Sequence, residues 1–231
     1  MQILNDTWCV PDGDRVIKEK ILFTSSHKVY SNGDKVNPNN INLYYEHKVR
    51  EAVLNETTEF GAFIDVGANV GIWSRPLASI FKKVYAFEPV ETNIECLNKN
   101  IEALDNIEVY DNALSDRNGH ANLYMGNTSN CGNNKVTYEC KMKKKHFGAE
   151  DLIPVRTLDS YEFKNVGLIK IDTQGHELPI IQGSVETLKK NKPTIIFEVN
   201  KKKDVCCDIL ESLGATRMIL LNKCLISYFW K

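Results

Sequence analysis

Ala62-Phe63-Ile64-Asp65-Val66-Gly67-Ala68-Asn69-Val70-Gly71 is the stretch from which the rest of the chain can be read. Ala62–Val66 is apolar apart from one acid, the pattern of a strand buried on both faces. It runs into a turn punctuated by Gly67 and Gly71, where a missing Cβ permits a tight bend and the close approach of a ligand. An apolar helix is predicted from there to about Phe81. Working outward, residues 83–88 read as a second strand. Residues 91–103 form a helix with Ile94, Leu97 and Ile101 on one face, and Ile107–Tyr110 is a third strand. This alternation builds a parallel sheet with right-handed crossovers. Upstream, residues 43–55 predict a helix. Downstream, the alternation resumes with the strand Val166–Ile171, a helix from about His176, a strand over 194–199 and a helix near 203–213. Two runs, 218–221 and 224–230, are parted by Asn222-Lys223 and predict a closing antiparallel hairpin. The expected fold is α/β: a Rossmann-like seven-stranded sheet of order 3-2-1-4-5-7-6, with helices on both faces.

At 231 residues the chain reads as one domain, 1–231, with an irregular N-terminal extension over 1–42 and an insertion over 117–157. The extension carries turn signals at Pro11-Asp12-Gly13-Asp14 and Asn32-Gly33-Asp34, with a strand pair expected between them. The insertion holds short alternating runs at 121–124, 136–138 and 155–158, which predict added antiparallel strands. Its residues 126–134 are rich in Asn and Gly and predict a mobile lid over the acceptor side of a pocket. Hydrophobic residues at 42% and charged residues at 26% exclude collagen-like, disordered and membrane-spanning chains. Lys+Arg 29 against Asp+Glu 30 leaves −1, no global field to draw the chain onto nucleic acid. The local basic run of Lys141, Lys143, Lys144, Lys145 and His146 is either a solvated loop or a patch for an anionic substrate. Seven cysteines without a C-x-x-C pair, and no signal peptide, point to a reducing cytoplasm.

Ligands of open α/β sheets lie at the carboxyl ends of the strands, so the polar residues that end the strands are the candidate site. The turn after the first strand has the spacing D-x-G-x-x-x-G, not G-x-G-x-x-G. That removes the dinucleotide fingerprint, and with it an NAD(P)-dependent reductase. Asp65, two residues before the first glycine, is poor for phosphate and good for a cation. S-adenosylmethionine is a ligand of that kind, with an ammonium, a sulfonium and no phosphate. Asp65, Val66, Gly67, Ala68, Asn69 and Gly71 are therefore candidate cofactor contacts. Glu88, followed by Pro89, ends the second strand and suits ribose hydroxyls. After the third strand, Asn112 offers an amide to a base edge and Ala113 leaves room for its ring; a plain turn is the rival reading. After the fourth strand, polar groups crowd residues 169–177 beside the same crevice. His176, with an unperturbed pKa near neutrality, and Asp172, at the strand end, are the two candidates for a general base. Asp172 can also orient the methyl donor. Lys170, inside an apolar strand, reads as a snorkelling or paired lysine.

Residues 63–71, 84–89, 168–177 with Gly183, and 193–198 resemble four motifs of the FkbM family of S-adenosylmethionine-dependent methyltransferases. In that family the motifs run D-V-G-A-N-x-G, V-x-A-F-E-P, I-K-x-D-x-E-G-x-E and P-x-I-x-x-E. The likeness covers about residues 43–200. It implies a class I methyltransferase fold with S-adenosylmethionine along the ends of the first three strands. It also implies O-methyl transfer by direct displacement to a hydroxyl of a sugar, another small molecule or a glycan. Gln174 stands where the family has Glu, so any proton transfer or cation binding by that carboxylate is lost here. The segments that depart most from the family, residues 8–14 and 117–157, are where substrate choice is expected.

Other readings compete. Amino-directed nucleic-acid methyltransferases carry an Asn/Asp-Pro-Pro-aromatic loop after the fourth strand, where this chain has Asp172-Thr173-Gln174-Gly175. Cytosine-C5 enzymes use a Pro-Cys nucleophile, and no Pro-Cys occurs. Base methylation is thus disfavoured, while ribose methylation stays open. Asp172, Glu198 and Asn200 fall at strand ends and supply hard oxygen ligands for a metal-assisted variant, although no metal is expected. A binding module that keeps the cofactor fold without catalysis is disfavoured by the Asp65 and Glu88 pair.

Overall fold

The computed structural model describes residues 1–4, 8–17, 46–126, 130, 132–138, 150–198, 205–217 and 225–230. Two short strands, β1 (Gln2–Leu4) and β2 (Trp8–Val10), pair antiparallel. Then come α1 (His47–Glu56), β3 (Ala62–Val66), α2 (Ser74–Leu77), β4 (Lys83–Phe87), α3 (Glu91–Ile101) and β5 (Ile107–Tyr110). β6 (Ala113–Leu114) follows, and the insertion contributes β7 (Gly119–Tyr124), β8 (Lys135–Thr137) and β9 (Glu150–Arg156). The chain continues through β10 (Val166–Ile171), α4 (Glu177–Gln182), α5 (Val185–Asn191) and β11 (Thr194–Glu198). It closes with α6 (Val205–Ser212), β12 (Ala215–Arg217) and β13 (Leu225–Trp230).

Among the described residues, seven strands form one mixed sheet in the order β12-β13-β11-β10-β3-β4-β5. Strands β5, β4, β3, β10 and β11 are parallel, and β13 runs antiparallel to β11 and β12. Side chains alternate between the two faces, which splits the core in two. Phe63, Val84, Leu168 and Ile196 pack with Val10, Val53 and Leu77 on one side. Ile64, Ile169, Ile195 and Phe197 pack with Ile180, Leu188 and Leu210 on the other. Each fully buried aliphatic side chain of this kind contributes about 1.5–3 kcal/mol. The chain moves outward from β3 to β5, then crosses back to β10 on the other side of β3. A crevice opens at that reversal, above the ends of β3 and β10.

Several elements differ from the sequence expectation. The helix after Gly71 is confined to Ser74–Leu77. Pro76 lacks an N–H and fits only the first turn, which sets the helix start late. The helix from Glu177 stops at Gln182 and restarts at Val185. Between them Gly183 lies against the Ser115 carbonyl, with no room for a Cβ. A strand pair, β1–β2, precedes the Pro11 turn, and the pair expected between the two turns falls on residues outside the described ones. Residues 18–45 and the 218–221 run lie outside the described residues, and the strand beside β13 is Ala215–Arg217. The insertion strands pair antiparallel with one another and, with β6 parallel to β9, form a separate four-stranded sheet, β6-β9-β7-β8, among the described residues. Leu158 belongs not to a strand but to a 3-10 turn, Leu158–Tyr161, capped by the Thr157 side chain.

A buried amide fastens the N-terminal strands near the crevice. Asn100 Nδ2 donates to the carbonyls of Cys9 (2.9 Å) and Val70 (2.8 Å), and Oδ1 accepts from the Cys9 N–H at 2.6 Å. No helix among the described residues is long and apolar enough to cross a membrane.

Candidate functional site

The turn after β3 owes its shape to Gly67 and Gly71, at φ +74° and +91°. A Cβ on Gly67 would collide with the Asp172 carbonyl, so glycine here lets the ends of β3 and β10 touch. The N–H groups of Gly67 and Ala68 both donate to the Phe87 carbonyl at 3.0 Å. Asn69, also left-handed at φ +52°, donates its N–H to Glu88 Oε2 at 2.8 Å. Glu88 Oε1 accepts from the Val90 N–H and from Asn93 Nδ2, each at 3.1 Å. Burial pushes the Glu88 carboxyl above its ordinary range, and those three N–H donors work against the rise.

Three adjoining compartments make one cleft, and Gly67 borders all of them. Glu46, Trp73, Asn130, Lys170, Asp172 and Gln174 line a polar end, together with Ala68 and Asn69. Glu88, Pro89, Asn93, Asn134, Thr173 and again Asp172 line the middle. Val66, Phe87, Ala113, Leu114, His176 and Ile180 line an apolar end. Asn130 and Gly132, from the stretch expected to form a lid, border the polar end; residues 127–129 and 131 lie outside the described residues. The basic run at 141–146 lies outside them as well.

Three expected cofactor contacts do not line this cleft. Asp65 is fully buried and faces Lys170 directly across the strand pair. Lys170 Nζ sits 3.1 Å from Asp65 Oδ1, and the Ser74 hydroxyl donates to Oδ2 at 2.6 Å. Lys170 also donates to the Gly67 carbonyl at 2.7 Å. The Asp65 charge is thus spent inside the wall. Asn112 is turned toward Tyr161, whose hydroxyl donates to Oδ1 at 2.7 Å, while Nδ2 donates to the Ala113 carbonyl at 2.9 Å. Gly71 packs under Leu97.

His176 lies apart from Asp172. It borders the apolar end, away from the compartments that Asp172 lines. Its Nε2 lies 2.9 Å from Ser115 Oγ, which in turn accepts from the Tyr138 hydroxyl at 2.8 Å. The ring also bonds the Val136 backbone, and burial pushes its pKa down to about 4. It ties the insertion to the main sheet. Because the folded pKa lies below the unfolded value of 6.5, the associated stability is complete above pH 6.5 and lost as pH falls through about 4. A shift of that size corresponds to about 3 kcal/mol. His176→Gln should therefore flatten the fall in melting temperature between pH 6.5 and 4. An unchanged slope in the variant would refute the assignment.

Glu46 and Trp73 are among the cleft residues that the sequence reading did not single out. Trp73 Nε1 donates to Glu46 Oε2 at 3.0 Å, and the Arg50 guanidinium lies 5.5 Å from the Trp73 ring centre. No spacing signal links Glu46 to Trp73; their meeting is purely tertiary. Glu177, the last residue of the polar stretch 169–177, is outside the cleft lining. Its Oε1 accepts from the Thr173 N–H, the Thr173 hydroxyl and the Gly175 N–H at 3.1, 3.2 and 3.1 Å, which holds the turn after β10. Gln174 Nε2 lies 3.5 Å from Asp172 Oδ1 and 3.3 Å from Glu198 Oε2, so an amide sits between two acids. Asn200 lies outside the described residues, and among those described no group of three His, Cys, Asp or Glu is placed to hold a metal.

A doubly wound mixed sheet with a glycine turn and a carboxylate-edged cleft defines an α/β fold of the methyltransferase type. The chain belongs to the methyltransferase FkbM domain family, whose sequence profile matches residues 65–224. It is similar to the hexuronic acid methyltransferase AglP of Haloferax volcanii, 26% identical over 182 residues, which is 77% of this chain and 73% of that protein. It is also similar to the 2-O-methyltransferase NoeI of Sinorhizobium fredii, 27% identical over 146 residues, 56% of this chain and 59% of that one. The crystal structure of methyltransferase FkbM from Methylobacillus flagellatus KT shares the fold, with a TM-score of 0.52 and 15% identity. That match covers 84% of this chain and 56% of the solved one, so the chain spans little more than half of that protein's length.

Proposed function

We propose that the protein is an S-adenosylmethionine-dependent O-methyltransferase that acts on a hydroxyl of a sugar or glycan. The observation that carries this reading is the polarity gradient of the cleft, from acids at one end, past Glu88, to an apolar compartment at the other. It follows the order of charged amino acid, ribose and base in the cofactor. The donor set fits that ligand: a carboxylate offers about four acceptor positions, and Glu88 gives three to N–H groups, leaving room for a ribose hydroxyl. When bound, the cofactor supplies a methyl group on a sulfonium. The chain aligns the acceptor hydroxyl, which removes an orientational cost. Asp172, bordering both the polar end and the middle, takes the proton as the new bond forms. His176 lines the base end and keeps it apolar. The sugar acceptor is supported by the substrate named for AglP, and transfer to oxygen by the reaction named for NoeI. The buried thiols of Cys9, Cys96, Cys206 and Cys207, which form no disulfide with one another, support a reducing, cytoplasmic setting.

Calorimetry with S-adenosylhomocysteine and with NADH tests the cofactor. We expect micromolar affinity for the first and none for the second. Glu88→Ala should weaken binding by about 1–3 kcal/mol, the scale of charge-assisted hydrogen bonds. Unchanged affinity in that variant would sink the site. A panel of neutral sugars, hexuronates and ribose-containing acceptors then tests the substrate class; transfer to none of the sugars would sink that part.

A further inference from the structure

We propose that Glu46 supplies the carboxylate that holds the ammonium of the cofactor's amino-acid end, the task that motif spacing assigns to Asp65. This rests on the reading of the cleft as an S-adenosylmethionine site. Among the described residues, the ionisable side chains lining the polar end are Glu46, Lys170 and Asp172. Asp65 is shut off behind them, and its charge is matched by Lys170 at 3.1 Å. With Lys170 thus committed, and also donating to the Gly67 carbonyl, the cavity of about 130 Å³ is left with two carboxylates. Such a lining attracts a cation.

The two acids occupy different stations. Asp172 borders the polar end and the middle, so it stands beside the atoms that join ribose to sulfonium. Glu46 borders the polar end alone, the far end of the ligand, where the ammonium lies. Its carboxylate is also aimed. The Trp73 indole N–H holds Oε2 at 3.0 Å, and among the described residues Oε1 takes no hydrogen bond. The backbone at Glu46 is left-handed, φ 63° and ψ 20°, an uncommon state for a residue with a Cβ. It persists because the Glu46 carbonyl accepts from the Arg50 N–H at 3.0 Å, which starts α1, while the side chain is drawn to Trp73. Non-glycine residues held in this region concentrate at ligand sites.

The test uses the whole chain and two ligands. S-adenosylhomocysteine has the amino-acid end; 5′-methylthioadenosine has the same base, ribose and sulfur without it. Glu46→Gln should weaken the first about 10–100-fold and leave the second within about twofold. Glu46→Asp keeps the charge on a shorter arm and should recover part of the loss. Equal losses for both ligands, or none for S-adenosylhomocysteine, would overturn the role of Glu46 while leaving the cofactor reading intact. A parent protein that binds neither ligand would overturn both.

Discussion

Asp172→Asn is expected to cut turnover about 10²–10⁴-fold while S-adenosylhomocysteine affinity stays within a few-fold, the pattern of a lost general base. The Asp172 backbone is pinned at the seam of the sheet. Its N–H donates to the Val66 carbonyl at 3.1 Å, and its own carbonyl closes over Gly67. The side chain therefore starts from a fixed point at the junction of the polar and middle compartments. We propose that His176 is out of place for that role. It borders the apolar end, and its pKa is pushed down to about 4. His176→Gln should change turnover by less than about tenfold, below the usual weight of a general base. Initial rates at saturating cofactor, with calorimetry on the same preparations, separate the outcomes. Turnover of Asp172→Asn within about threefold of the parent would leave positioning alone as the source of rate. A matched fall in affinity and turnover would make Asp172 a binding group instead.

The legible parts of the fold are those whose sequence pattern depends only on burial. β3, β10 and β11 are covered on both faces, so their residues read as continuous apolar runs in any context. The ends of β3, β4 and β10 expose Gly67, Asn69, Glu88 and Asp172 to the crevice, and the glycine turn and strand-end polarity made them visible. What stayed hidden depends on a partner far along the chain. The acid at Asp65 was plain, but its register with Lys170 exists only once β3 and β10 pair. His176 has the composition and position of a base. Its real neighbours, Ser115 and Tyr138, arrive when the insertion folds back. The alternating runs of the insertion announced strands without saying which sheet would take them, and β6, two residues long, has no pattern to read.

Removing one member of the Asp65–Lys170 pair should lower unfolding free energy by about 3–5 kcal/mol, the usual cost of an orphaned buried charge. The side chains are 0% and 8% exposed, so water cannot substitute for the missing partner. Burial alone would push the Lys170 pKa down. Asp65, Asp172 and Glu46 outweigh it and hold the ammonium above its ordinary value. Among the described residues, Lys170→Met leaves Asp65 with only the Ser74 hydroxyl, and Asp65→Asn leaves the ammonium with two carbonyls and the charges of Asp172 and Glu46. The double variant Asp65→Asn/Lys170→Met carries no orphaned charge, and it should regain much of the stability that each single variant loses. Urea unfolding of the four proteins gives the coupling directly. Cofactor affinity should not follow the same path. The double variant still lacks the Lys170 bond to the Gly67 carbonyl, so the turn between β3 and α2 loses a tether that stability does not measure. A folded double variant with reduced S-adenosylhomocysteine affinity would separate the two roles of Lys170, charge balance and loop placement. If the double variant is as unstable as either single one, the bonds to Gly67 and Ser74, and not the balance of charge, are what the pair contributes.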